Sequence, residues 1–119
     1  MNLKNEIERY SNLNGYPATS YEDLICNCGC KELHLYSDDD EGGAYVVCAS
    51  CGTEYDIESS RTYIEEPQNN ICNCDNDQFN IGVGKAFYPE SNEARWVYVG
   101  AHCGKCGLDG VYVDWKQSA

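Results

Sequence analysis

Eight of the nine cysteines fall into two copies of one four-thiol pattern: Cys26-x-Cys28 with Cys48-x-x-Cys51, then Cys72-x-Cys74 with Cys103-x-x-Cys106. Each copy opens on Ile-Cys-Asn-Cys and closes on Cys-x-x-Cys-Gly, at Gly52 and Gly107, which marks an internal duplication. Two short loops that each aim two sulfurs at one point suit zinc, which takes four thiolates tetrahedrally at about 2.3 Å. The eight cysteines are therefore the expected ligands of two Zn2+ ions. Disulfides are the competing chemistry. The odd cysteine count, the want of a charged-then-apolar leader and the matching pair positions weigh against a secreted disulfide framework, and a cytoplasmic protein is expected.

Cys30 is left over. Cys26-x3-Cys30 is also an allowed ligand spacing, but the second copy carries Asn76 at the matching position, so Cys26 and Cys28 are the simpler shared pair. The histidines are His34 and His102, and His102, next to Cys103, is read as a strand-end residue rather than a ligand. Four thiols close a zinc shell, whereas catalytic zinc keeps a position for water, and no nucleophile stands out with a positioned base. No catalytic residue is assigned, and an enzyme is not expected.

The elements that position these thiols must be small. Leu3, Ile7, Tyr10 and Leu13 recur at helical spacing over residues 2–14, with Asn2 as cap and Gly15 and Pro17 as stop. This helix is expected to pack on the first repeat. Ser20-x-x-Asp23 has the outline of a capping box, which predicts one helical turn into the first knuckle. Leu33, Leu35, Tyr45 and Val47 alternate around Asp38-Asp39-Asp40-Glu41-Gly42-Gly43, a hairpin with an acidic tip, and residues 53–57 supply a third strand. The second repeat follows the same order through Phe79 and Ile81, Trp96 and Tyr98, then Val111, Tyr112, Val113 and Trp115. Its inner stretch is longer, 28 residues between Cys74 and Cys103 against 19 between Cys28 and Cys48, through an extended hairpin from Gly82 to Arg95. Gly82 and Gly84 are read as a bulge or tight bend.

The predicted fold is small, mostly β and metal-stabilised, two tandem zinc ribbons preceded by a short N-terminal α-helix. Residues 1–66 hold the helix and first ribbon and 67–119 the second, with the polar stretch 58–70 as linker, all in one compact unit. A ribbon of this size buries too little apolar surface to fold alone, so metal supplies on the order of 10 kcal/mol per site.

Eight basic against twenty acidic residues give a net charge of −12. Two tetrathiolate zinc sites would take it to about −16. Residues 1–60 carry three basic and twelve acidic side chains and residues 61–119 five and eight, so the first half is the acidic one. Such a field repels phosphate backbones and steers basic partners. Nucleic acid is therefore disfavoured and a basic protein is the expected partner, met by Asp38, Asp39, Asp40 and Glu41 with nearby exposed members of the ten tyrosines. No apolar run approaches the 18 residues of a membrane span.

Over residues 24–115 the eight cysteines with Gly52 and Gly107 make the chain resemble tandem zinc ribbons of the rubredoxin-like knuckle group. The Cys-x-Cys openings depart from that pattern and are similar to the tight knuckles of iron-binding desulforedoxin-like sites, which keeps iron as the alternative metal. The small acidic composition is similar to that of bacterial immunity proteins that cap basic toxin domains, often nucleases. These resemblances imply a non-catalytic binding protein with an immunity or inhibitor role. The alternatives are a zinc-ribbon accessory of the transcription or RNA machinery and a redox or metal-handling protein.

Overall fold

A computed structural model describes residues 3–117. One helix, α1 (Leu3–Asn14), precedes eight strands: β1 (Ser20–Leu24), β2 (Leu33–Asp38), β3 (Gly43–Cys48), β4 (Glu54–Asp56), β5 (Gln68–Asn69), β6 (Phe79–Phe87), β7 (Ala94–Cys103) and β8 (Asp109–Lys116). The protein is thus small and mostly β, with an N-terminal helix. Asn2, the expected cap, lies outside the described residues. None of the described helices is long and apolar enough to cross a membrane.

The strands form one sheet of order β4-β3-β2-β6-β7-β8, with β1 added to β6 and β5 to β2. Two three-stranded antiparallel ribbons, β2-β3-β4 and β6-β7-β8, meet where Leu33 pairs with Phe79. A shared core lies on one face. Leu33, Leu35, Val46, Phe79, Ile81, Val97, Val99 and Val113 bury there with the sulfur-bearing residues Cys26, Cys48, Cys72 and Cys103. Antiparallel register sets Leu35 opposite Val46, so Val46 faces this core and its neighbours Tyr45 and Val47 face away. Tyr45 is nonetheless buried, because it stacks on Tyr36 at 5.0 Å and Arg61 lies 3.7 Å above its ring.

Three expectations are corrected. The helix packs on the second repeat, against β6, β7 and β8, not on the first. Its buried stripe is Leu3, Ile7 and Ser11, while Leu13 is 76% exposed. The helix can sit close because Gly84 and Gly100 present bare backbone to Ile7 and Leu3. Secondly, Ser20–Leu24 is a strand, not a helical turn: β6 offers an open edge, and the residues from Ser20 to Leu24 pair with those from Lys85 back to Ile81. A ladder along five residues outweighs a single capping bond. Thirdly, Gly82 and Gly84 sit in the regular part of β6, where Tyr21 lies directly over Gly82; the irregularity comes later, at Ala86 and Phe87.

Residues 58–70 do not hang free. Ser60 is buried, accepts the Ala44 N–H at 3.0 Å and lies 2.6 Å from the Ile57 carbonyl as donor. A 3-10 turn at Arg61–Tyr63 follows, and β5 then pairs Asn69 with Tyr36 and Gln68 with Ser37.

Candidate metal centres

Each tetrad is built from two hydrogen-bonded turns. In the first knuckle the Gly29 N–H donates to the Cys26 carbonyl at 2.8 Å and the Cys26 N–H to the Cys30 carbonyl at 3.0 Å. In the second copy Asp75 donates to Cys72 and Cys72 to Asn76, both at 2.8 Å. The turn needs a left-handed residue, supplied by Gly29 (φ 91°) and by Asp75 (φ 72°), a residue type that tolerates this region. The Cys-x-x-Cys turns close alike, with Gly52 donating to Cys48 at 3.0 Å and Gly107 to Cys103 at 2.8 Å.

These turns gather Cys26, Cys28, Cys48 and Cys51 at one point and Cys72, Cys74, Cys103 and Cys106 at another, with all sulfurs of a set within 4.8 Å of one another. The closest pairs stand at 3.5 Å (Cys26–Cys51), 3.6 Å (Cys28–Cys48), 3.5 Å (Cys72–Cys106) and 3.5 Å (Cys74–Cys103). A tetrahedron with metal–sulfur bonds of 2.3 Å has edges of about 3.8 Å. Both sets can therefore hold a metal ion. All nine cysteines are free thiols.

Nearby donors favour thiolate at Cys26, Cys48, Cys51 and Cys103. The Asn76 amide donates to Cys103 Sγ at 3.2 Å and, with the Cys106 N–H, lowers that thiol to about 6. The Tyr55 hydroxyl lies 3.3 Å from Cys26 Sγ and lowers it, while the Thr53 hydroxyl at 3.1 Å does the same for Cys51. The Cys51 and Ser50 N–H groups lower Cys48. Cys28, Cys74 and Cys106 are shifted the other way by neighbouring thiols and burial. Although the Cys30 N–H acts to lower Cys28, hydrogen bonding with Cys26 and Cys48 pushes it up to about 12. Cys106 likewise reaches about 12 beside Cys72, against the pull of the Leu108 N–H. A bound cation would displace the thiol protons.

Residues outside the cysteine pattern thus complete the sites: Tyr55, Thr53, Asn76 and, beside Cys72, Tyr112, whose hydroxyl burial pushes up to about 12. The repeat comparison already singled out Asn76, but as an absent cysteine rather than as a donor. Cys30 stands outside the tetrads, with Sγ directed at the Glu32 carbonyl at 3.5 Å. His102 is not in a tetrad either; its Nδ1 lies 2.6 Å from Asp109 Oδ1 across β7 and β8.

The acidic hairpin tip divides into two kinds of residue. Asp38 is buried, and its two carboxylate oxygens accept the N–H groups of Asp40, Glu41, Glu65 and Glu66 at 3.1 to 3.3 Å. It holds the tip to the following segment. Asp39, Asp40 and Glu41 are exposed. Comparison of the chain with protein-family models, with curated proteins and with solved structures finds no match in any of the three.

Proposed function

We propose that this chain is a non-catalytic, cytoplasmic binding protein built on two tandem zinc ribbons, whose acidic surface captures a basic protein. Its most concrete form is an inhibitor, of the immunity type, that neutralises a basic toxin domain. Four sulfurs around each ion leave no position for water or substrate, which suits zinc in a structural role. The observation that carries the partner reading is the uncompensated charge at the tip. Partial desolvation, followed by the nearby Asp114, Asp40 and Asp38 carboxylates, raises the exposed Asp39 carboxyl above its ordinary value. Among the described residues, no ion pair engages residues 38–41; the lysine and arginine pairs formed go to Glu6, Glu8, Glu54 and Glu58. An incoming guanidinium or ammonium group would relieve that repulsion, and the net charge of −12 would speed its approach.

The test is a pulldown from the native host with the intact chain and with Asp39→Lys/Asp40→Lys/Glu41→Lys. The intact chain should retain a basic protein at low salt and lose it progressively as salt rises, and the reversed tip should retain little. Asp38 is left in place because its carboxylate supports the fold. Recovery of nucleic acid instead, or undiminished retention by the reversed tip, would refute the reading.

A further inference from the structure

The seam between the two ribbons repeats itself. The sequence shift that carries Cys26 onto Cys72 and Cys28 onto Cys74 also carries Lys31 onto Asp77, Leu33 onto Phe79 and His34 onto Asn80. Leu33 pairs across the seam with Phe79, its own counterpart. His34 Nδ1 lies 3.0 Å from the Asp77 carbonyl oxygen, and the Asn80 side-chain amide donates to the Lys31 carbonyl at 3.0 Å. These are one contact made twice, in opposite directions, as at the interface of a two-fold dimer. Because a carbonyl only accepts, Nδ1 of His34 carries the proton in its half of the pair.

Each bond runs from a strand of one ribbon to the chain leaving the first knuckle of the other. Lys31 follows Cys30 and Asp77 follows Asn76, the residues whose carbonyls close the two Cys-x-Cys turns. Below the seam Cys26, Cys48, Cys72 and Cys103 share one buried cluster with Leu33 and Phe79. Each site therefore shares part of its frame with the other ribbon. An ion that fixes one knuckle also fixes the carbonyl on which the other ribbon's strand is anchored, so the second ion meets a frame that is already ordered.

We infer that the two metal centres load as one cooperative unit through this seam. The inference rests on the reading that both tetrads bind zinc. A coupling factor of about 100, in the upper part of the usual range, would leave only about a tenth of half-loaded protein with a single ion, against about half for equal independent sites.

Native mass spectrometry of the full, reduced chain, titrated with Zn2+ against a competing chelator, counts the empty, one-ion and two-ion species directly. The native chain should show the one-ion species at about a tenth at half-loading; His34→Ala/Asn80→Ala should raise it to about a third, a coupling of about 5. His34→Asn installs the counterpart residue and should keep the loading concerted. One-ion protein at about half in the native chain, or a double variant as concerted as the native chain, overturns the inference. A chain that takes up no zinc, or only one ion, overturns the zinc reading and the inference with it. Two ions bound independently overturn the inference alone.

Discussion

Replacing Gly84 with alanine should unseat the helix from the second ribbon. A Cβ at this position would lie 2.5 Å from Ile7 Cγ2 and 3.3 Å from Ala18 Cβ. Ile7 is 1% exposed, so it has no open space to retreat into. Overpacking of this kind costs about 1–3 kcal/mol. The loss of glycine's freedom in the unfolded chain returns about 0.4–1 kcal/mol. The net is about 1–2 kcal/mol, which for a chain of this size lowers Tm by roughly 4–8 °C. Thermal unfolding should be followed with metal in constant excess, because bound ions shift apparent stability. Ile7→Ala removes the opposing atom, so adding Gly84→Ala to it should be neutral or favourable, with a coupling of about 1–2 kcal/mol. Gly104→Ala, where a Cβ meets nothing within 4 Å, is the control and should leave Tm in place. Additivity of Gly84→Ala and Ile7→Ala to within about 0.5 kcal/mol would refute the close seating of the helix on β6.

Chelation should abolish the near-ultraviolet circular dichroism of the buried aromatic residues, and Cys51→Ser or Cys106→Ser should lower soluble yield and metal content, while Cys30→Ser keeps two ions; equal losses in the Cys30 variant would place that thiol in a site. For Asp38, the Glu65 N–H, helped by those of Glu41, Glu66 and Asp40, lowers the carboxyl from its ordinary value of 3.8. Its contribution is therefore present above the unfolded pKa and lost as pH falls through the lower folded one. Asp38→Asn should flatten the acid limb of the stability curve, and parallel acid-unfolding curves for variant and native chain would count against the capping role.

The two cysteine clusters were legible because their chemistry is local: two thiols one or two residues apart can converge on one point only through a tight turn, and Gly52 and Gly107 mark where it closes. The hairpins were legible through period-two alternation. The partners of α1 and β1 were not. An apolar stripe states that a helix must cover something, and nothing in the periodicity of Leu3 and Ile7 says that the something is Gly84, Tyr98 and Gly100. Those glycines look like turn residues until the pairing of β1 with β6 shows that side chains from elsewhere fill the space above them. Asp38 was hidden for the same reason. Its charge was visible in the acidic run, whereas the Glu65 and Glu66 N–H groups that consume it lie 27 and 28 residues away.

The seating of the N-terminal helix also sets an order of events during synthesis. Tyr10 donates to Asp114 at 2.9 Å across a sequence separation of 104 residues, and the Asn14 amide reaches Tyr98 across 84. At about 5–20 residues per second, translation takes roughly 5–20 s to deliver those partners after the helix itself has been made. The cysteines of the first tetrad are all in hand by residue 51, well before that. On the ribosome, then, Leu3 and Ile7 are made before their cover, and so are the four cysteines of the first tetrad. Closure of the helix onto β6, β7 and β8 must wait for β8 to be made, and the nascent chain carries an uncovered apolar stripe until then.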